Sequence, residues 1–396
     1  MSRERSCVIV VENLPVPFDR RVWQEAQALR QAGWRVSVIC PTSPRYPLKF
    51  EEIDGIAIYR HALPLEARVR FAYVLEYASA LFHQLRLLLK VHKEQGFSVI
   101  QACNPPDLIF LVALPFKLLG KRFIFDHHDI SPELFVLKFG RKGILYRLLL
   151  TFEWLTFKSA DLVISSNETF RDIDIGRGGK RPEKVVAVYS IPDRKNIFRT
   201  TPNKAIRRRR NFVLGYLGII SNQDGVDHMI RAAHHLVRHH GFSDFQAVIV
   251  GDGPALPSLR VLARELGVDE HVTFTGYLSG ETLLQHLSAF DIGLIPDPIN
   301  ECNDKLSMNK VFEYTALGIP IVAYRLAETQ RLLREVAIYA ETPDPQGLAD
   351  ACLQLMRDDA LRAECSAKAA ELSQESFNWP TEAEKYVAAY ERLLGS

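Results

Sequence analysis

The chain has 396 residues, 47% hydrophobic and 24% charged, and its 49 Lys+Arg against 47 Asp+Glu leave a net charge of +2. At ~150 residues per domain this length predicts two or three domains, and the balanced charge argues neither for nor against nucleic acid. The longest stretch without a charged residue, 211–223, is shorter than the ~18–20 apolar residues of a bilayer span, which excludes a transmembrane helix; residues 1–11 lack the pattern of a secretory leader.

Taken in chain order, the first half alternates short apolar runs with helical patterns. The run 7–11 precedes a helical pattern at 20–32, and 36–40, 56–59, 99–102, 123–126 and 162–165 continue the series. Each run is continuous rather than alternating, as strands buried on both faces read in a parallel sheet. Residues 189–211 hold Ser190, Pro192, Asp193, Asn196, Pro202, Asn203 and the basic run Arg207, Arg208, Arg209 and Arg210, without an apolar period, and read as a linker. A second series follows: runs 213–217, 247–250, 272–275, 292–295, 319–323 and 337–339, with helical patterns at 226–238, 256–266 and 310–316. The predicted fold class is therefore α/β, with two doubly wound, Rossmann-like domains facing a central cleft. The predicted boundaries are domain 1–190, linker 191–211, domain 212–376 and a last helix in 377–396.

Two segments of the first half, 63–96 and 135–158, are rich in Leu, Phe and Tyr. Arg68, Arg70, Arg86, Lys90 and Lys93 flank one, and Lys138, Arg141, Lys142 and Arg147 the other. Basic amphipathic helices of this kind lie on anionic membrane surfaces, the alternative being core helices with solvated edges. The six cysteines, Cys7, Cys40, Cys103, Cys302, Cys352 and Cys365, form no CxxC pair and read as reduced, buried thiols rather than a zinc site or disulfide frame. His228, His234, His235, His239 and His240 crowd one helical pattern at irregular spacing and read as a solvated face. Asp172 and Asp174 fall inside a helical pattern, not after a strand, and are discounted as a metal motif.

Three places carry the chemistry. Gly251, Asp252, Gly253 and Pro254 follow a strand and precede a helix, as does the turn at Gly218; such turns bring amides to phosphate. From Asp297 a loop through Asn300, Asn303 and Asp304 enters a helix near Ser307. Its free amides, with Lys305 and Lys310, suit a diphosphate, and Glu313 lies further along the same helix. A capped surface helix, with Ser307 as N-cap, is the structural alternative. Third, Asp126, His127, His128 and Asp129 end a strand. Adjacent residues point apart, so a hydrogen-bonding His near the transferred charge is expected before a metal set.

Together these motifs resemble the retaining glycosyltransferases of family 4, also called group 1, whose fold is GT-B. Residues 305–322, the run 272–278, the run 291–296, the pair His128 and Asp129 with Glu133, and the turn Phe377, Asn378, Trp379 carry the resemblance over essentially the whole chain. It implies catalytic roles for His128, Asp129 and Lys305. It implies donor binding by Glu313 at the ribose, Ser307, Met308, Asn309 and Lys310 at the diphosphate and sugar, Gly218 and Gly253 at the glycine turns, and Tyr277 and Leu278 at the base. Asp19, Arg20 and Arg21 would line the acceptor pocket. Three positions depart from the family: Lys305 stands where a Glu is usual, Ile219 where an Arg is usual and Asp224 where a Lys is usual. Lys305 and Lys310 are expected to supply the missing positive charge.

The implied reaction is retaining transfer of a sugar from a nucleotide diphosphate sugar, UDP- or GDP-linked, to a hydroxyl of a lipid-linked or polysaccharide acceptor in surface glycan assembly. The diphosphate leaves against amides and cations, and domain closure excludes water. No metal cofactor and no nucleic-acid partner are expected, and the expected location is cytoplasmic, at the inner face of a membrane. Two other readings stand beside it: a non-catalytic nucleotide-sugar-binding or scaffold subunit, and a GT-B nucleotide-sugar epimerase.

Overall fold

The computed structural model describes residues 4–62 and 70–395, with 70–77 as backbone only. Residues 1–3, 63–69 and 396 lie outside the described residues; they include Arg68 and the start of the predicted basic segment 63–96. The chain divides into two compact units, Met1–Ser190 with Pro380–Ser396, and Ile191–Trp379.

Unit 1 comprises β1 (Ser6–Val10), α1 (Arg20–Gln31), β2 (Arg35–Pro41), β3 (Phe50–Ile53), β4 (Ile56–His61), α2 (Arg70–Glu94), β5 (Val99–Cys103), α3 (Phe110–Leu118), β6 (Arg122–His127), α4 (Ser131–Phe139), α5 (Ile144–Ser159), β7 (Leu162–Ser165), α6 (Glu168–Gly176) and β8 (Val185–Ala187). Its sheet runs β3-β4-β2-β1-β5-β6-β7-β8. All pairings are parallel except β3 with β4, and Cys7 registers with Val36 on one side and Val99 on the other. The strands β1 and β5 are buried along their whole length, which is why they read as unbroken apolar runs. β3 escaped sequence reading because its Glu51 and Glu52 sit on an edge strand, where one side of the ladder faces water. Asp19 caps α1 by accepting the Val22 amide at 3.1 Å, and Val22, Ala26 and Leu29 bury its inner face.

Unit 2 comprises β9 (Phe212–Leu217), α7 (Val226–Arg238), β10 (Phe245–Val250), α8 (Leu256–Glu265), β11 (Val272–Gly276), α9 (Gly280–Leu287), β12 (Ile292–Ile295), α10 (Asn309–Ala316), β13 (Ile321–Ala323), α11 (Ala327–Leu333), β14 (Ile338–Tyr339), α12 (Pro345–Arg357) and α13 (Asp359–Ser376). The sheet is wholly parallel, in the order β11-β10-β9-β12-β13-β14. Leu214, Ile249, Ile292 and Val322 of the sheet pack with Met229, Leu236, Leu348 and Leu355 of the helices. The last helix, α14 (Trp379–Gly395), belongs with unit 1 almost entirely: Tyr390 meets Trp34 edge to face at 5.1 Å.

Each sheet has a point where strand order reverses, between β1 and β5 in unit 1 and between β9 and β12 in unit 2. Ligands of doubly wound sheets bind outside the carboxyl ends of the strands at these points.

Candidate functional site

In unit 2 the loops after β9 and β12 flank the reversal and are stitched together. Buried Asn303 donates through Nδ2 to the Gln223 carbonyl at 3.1 Å and the Pro298 carbonyl at 2.9 Å. Gly225, at φ +68°, fits because a Cβ there would stand 2.0 Å from the Pro296 carbonyl oxygen. Asp304 accepts the Ala327 amide at 2.6 Å, tying the second loop to α11.

This loop delivers the chain into α10, whose N-cap is Met308 with no side-chain cap. Ser307, the N-cap in the structural alternative, instead donates its hydroxyl to fully buried Glu328 at 3.1 Å. The N-cap side chain of Met308 thus makes no hydrogen bond to the first turn of α10, which carries the positive end of the helix dipole. Glu313 follows on the same helix, buried. Tyr314 pins the helix to the sheet: its hydroxyl accepts the Leu217 amide at 3.0 Å and reaches the Gly215 carbonyl at 3.3 Å.

The expectation that both lysines face a diphosphate is corrected for Lys310. Its ammonium donates to Asp297 at 2.7 Å and lies 4.7 Å over the Tyr216 ring, both side chains being buried. Burial pushes the Asp297 carboxyl up and Lys310 opposes that shift, so the lysine serves to neutralise an internal carboxylate. Lys305 stays partly exposed, 3.9 Å from Glu301.

The glycine turns also differ from expectation. A Cβ on Gly251 would stand 1.8 Å from the Gly218 carbonyl oxygen, and one on Gly253 would stand 2.3 Å from that of Ile220. Gly218 donates its amide to Val250 and Ile220 donates to Asp252, so these glycines let two loop backbones touch. The Gly253 amide is taken by the Asp252 side chain at 2.8 Å. Ile219 is 70% exposed, and Asp224 accepts the Ser221 amide at 2.9 Å within its own turn. Tyr277, half-exposed, and Leu278 follow β11 at the same sheet edge.

In unit 1 the two adjacent histidines do point apart. His127 turns inward, with Nδ1 at 2.7 Å from Asp174 and its ring among Phe125, Phe157 and Phe170. Burial alone would lower its pKa, but Asp174 outweighs that and raises it to about 9. Asp174 lay in the discounted helical pair; its signal was its place on the inward face of α6.

His128 lies beyond β6, partly exposed, with Nε2 2.8 Å from Asp126. Asn104, which sequence reading missed, clamps this turn. Its Oδ1 accepts the His128 amide at 2.8 Å and the Asp129 amide at 3.2 Å, and its Nδ2 donates to the Asp129 carbonyl at 2.6 Å. Burial raises the Asp129 carboxyl.

Of the three residues expected on the acceptor side, Asp19 is the cap of α1, Arg20 is exposed and Arg21 is turned inward. Arg21 donates to Asp126 at 2.9 Å, to the Val188 carbonyl at 2.7 Å and to Ser190 at 3.1 Å, and lies 3.1 Å from Glu25. Burial works against the Asp126 anion, but Arg21 and His128 outweigh it and hold the carboxyl below its usual range. Cys103, Asp126 and His128 stand within 4.8 Å of one another, the spacing of a metal set. They fit a cation poorly. The Arg21 guanidinium already lies on Asp126, and burial, with Asp126 and Glu25 beside it, pushes the Cys103 thiol well up and keeps it protonated.

Residues 211–358 match the family model described as glycosyl transferases group 1, and residues 19–189 the glycosyl transferase 4-like domain. Alpha-D-kanosaminyltransferase of Streptomyces kanamyceticus is 28% identical over 45% of this chain, and the chain spans about half the length of that relative, 45%. The 2-deoxystreptamine glucosyltransferase of the same organism is 27% identical over 95% of this chain and 98% of its own. Among solved structures, sucrose-phosphate synthase from Thermosynechococcus elongatus superposes with a TM-score of 0.79 at 17% identity, covering 99% of this chain and 100% of that one.

Proposed function

The chain belongs to the glycosyl transferases of group 1, with the GT-B fold, and from that premise we propose that it is a retaining transferase. It takes a sugar from a UDP- or GDP-linked donor and passes it to a hydroxyl of a lipid-linked or polysaccharide acceptor in surface glycan assembly. The observation that carries this reading is α10, whose uncapped start opens at the strand reversal of unit 2, with Glu313 on the same helix.

The amides of Met308 and Asn309 and the Lys305 ammonium meet the diphosphate, and Glu313 meets the ribose. Charge developing on the leaving diphosphate is stabilised by these fixed donors, so the reaction needs no metal ion. The acceptor hydroxyl attacks the face the diphosphate leaves, and that phosphate takes its proton. His128 and Asp129 stand on the acceptor side in unit 1.

Unit 1 also supports a location at the inner face of a membrane. Its helix α3 packs against both α2 and α5. These three helices expose Phe82 and Leu89, Leu111, Leu114 and Leu118, and Ile144, Leu145, Leu148 and Trp154, with Leu118 90% and Ile144 79% exposed. Lys90 and Lys93 of α2, Arg147 of α5, and Arg141 and Lys142 just before α5 are exposed. Exposed apolar side chains and cations on the same elements fit the interface of an anionic bilayer. No helix among the described residues is long and apolar enough to cross one.

The deciding experiment is thermal unfolding against a panel of nucleotides and nucleotide sugars, with and without EDTA. One diphosphate sugar should stabilise the protein, by about 2.7 kcal/mol at a hundredfold excess over Kd. The shift should survive EDTA and vanish in Glu313→Ala. No shift with any donor would favour the scaffold reading, to which Ile219, Asp224 and Lys305 already lean. Donor conversion without an acceptor would favour the epimerase.

A further inference from the structure

A backbone that runs past the end of a sheet loses the neighbours that paired its amides, and other groups have to take their place. The β5–β6 register ends at Cys103 and Asp126, and the β6–β7 register at His127 and Ser165. The turn that carries His128 and Asp129 lies just beyond, partly buried, with no strand beside it. Side chains of the two neighbouring loops take over. On the β7 side Ser166 donates its hydroxyl to the His127 carbonyl at 2.6 Å. On the β5 side stands Asn104, the residue after Cys103, only 1% exposed.

All four hydrogen-bonding capacities of the Asn104 carboxamide are filled. Its Oδ1 takes the amides of His128 and Asp129, and its Nδ2 donates to the Asp129 carbonyl and to Asp107 Oδ1, the last at 2.7 Å. Reversing the amide would set its NH₂ against two N–H donors and its oxygen against two acceptors, so the partners allow one orientation. Asp107 enforces that choice from outside the turn. It is buried, and its own carbonyl accepts the Thr156 hydroxyl of α5. The Asn104 backbone amide reaches the Asp126 carbonyl at 3.3 Å, so main chain and side chain hold the same segment. The carboxamide thus does for the turn what a neighbouring strand does for β6. It does so beside the strand reversal of unit 1, since β5 is one of the two strands that flank it.

We propose that Asn104, oriented by Asp107, is a positioning residue for the reaction: it fixes the backbone from which His128 and Asp129 face the transferred sugar. This rests on the reading of His128 and Asp129 as groups of the acceptor side.

The test uses the full-length protein and two variants. Hydrogen–deuterium exchange is resolved to His128 and Asp129, and turnover is read as release of nucleoside diphosphate from the donor that thermal unfolding selects. In the wild type both amides should be protected. In Asn104→Ala they should exchange at least about tenfold faster while the amides of β6 keep their protection. The same variant should lose about 10²-fold in kcat, the effect of a reacting group displaced by ~1 Å, while KM for the donor moves less than about threefold. Asn104→Asp is isosteric and keeps the acceptor but loses both donated bonds, and its kcat should fall at least about tenfold. Wild-type amides that exchange as fast as an open loop overturn the proposal, whether or not either variant folds. Faster exchange with unchanged kcat overturns the link to the reaction, and a rise in donor KM that matches the loss of kcat overturns the positioning role. Wild-type turnover in His128→Gln instead overturns the reading of His128 itself, and the exchange data still decide separately what Asn104 holds.

Discussion

At the scale of single residues, the site of unit 2 is shaped by groups that cannot be replaced without leaving a charge or an atom misplaced. Lys310 is the clearest case, because its ammonium is the ion-pair partner of buried Asp297. Lys310→Met should destabilise the protein by about 3–5 kcal/mol in urea unfolding, the cost of an unpaired buried charge, and Lys310→Met with Asp297→Leu should recover most of that loss. If the single variant is as stable as the wild type, Lys310 is not a structural cation. Gly251 makes a second case. A methyl at φ +147° would meet the Gly218 carbonyl at 1.8 Å, so Gly251→Ala should lose about 3 kcal/mol or more. Gly276, at φ +76° with open space around it, gives the control: Gly276→Ala should lose only ~1–2 kcal/mol for the left-handed backbone. Equal losses in the two variants would show that loop contact is not what selects glycine at 251.

At the scale of elements, β6 and α6 are joined by a buried charge whose sign sets a pH dependence. His127 has a folded pKa of about 9 against an ordinary 6.5, because Asp174 outweighs the cost of burial. The folded state holds this proton more tightly than the unfolded chain. The contribution is complete below pH 6.5 and is lost as pH rises through 9. At ~1.36 kcal/mol per unit this amounts to about 3 kcal/mol. Glu153, raised to about 7 by burial, acts in the same direction over the range from 4.5 to 7. Stability from urea unfolding should therefore fall between pH 6.5 and 9 in the wild type. Asp174→Asn should flatten that fall while lowering stability at pH 6. A wild-type curve level across this range would remove His127 as a buried cation.

At the scale of the whole molecule, a net charge of +2 conceals segregation. Residues 134–152 contain Lys138, Arg141, Lys142 and Arg147 and no acid, beside the exposed leucines of α3 and α5. Cosedimentation with vesicles containing about a third anionic lipid should capture the protein and weaken as salt rises, since exposed charges are screened within ~10 Å at 0.1 M. Leu118→Glu with Ile144→Glu should weaken capture by at least about tenfold, each removed side chain being worth ~1.5–3 kcal/mol when buried in lipid. The donor-induced thermal shift should stay unchanged, because both residues lie in unit 1. Equal capture of wild type and double variant would move the contact elsewhere.

Sequence alone determined the class of fold and the order of most of its strands. Strands buried on both faces have to be continuous apolar runs, and in doubly wound sheets ligands lie outside the carboxyl ends of such strands. The helix that carries Glu313, the loop that leads into it and the divergence of His127 from His128 were legible for that reason: each follows from a strand end or a helical repeat. Partners were not legible. Lys305 and Lys310 look alike in sequence, and only packing shows that one neutralises Asp297 while the other stays at the surface. Asn104 carries no local signal, since it acts on a turn 24 positions away, and the inward place of Asp174 on α6 shows that it is buried but not that it meets His127. Gly251 and Gly253 read as a phosphate turn, yet their missing side chains make room for another loop. Periodicity reports which face of an element is buried. What that face meets depends on which distant segments the sheet order brings together, and only the tertiary structure decides that.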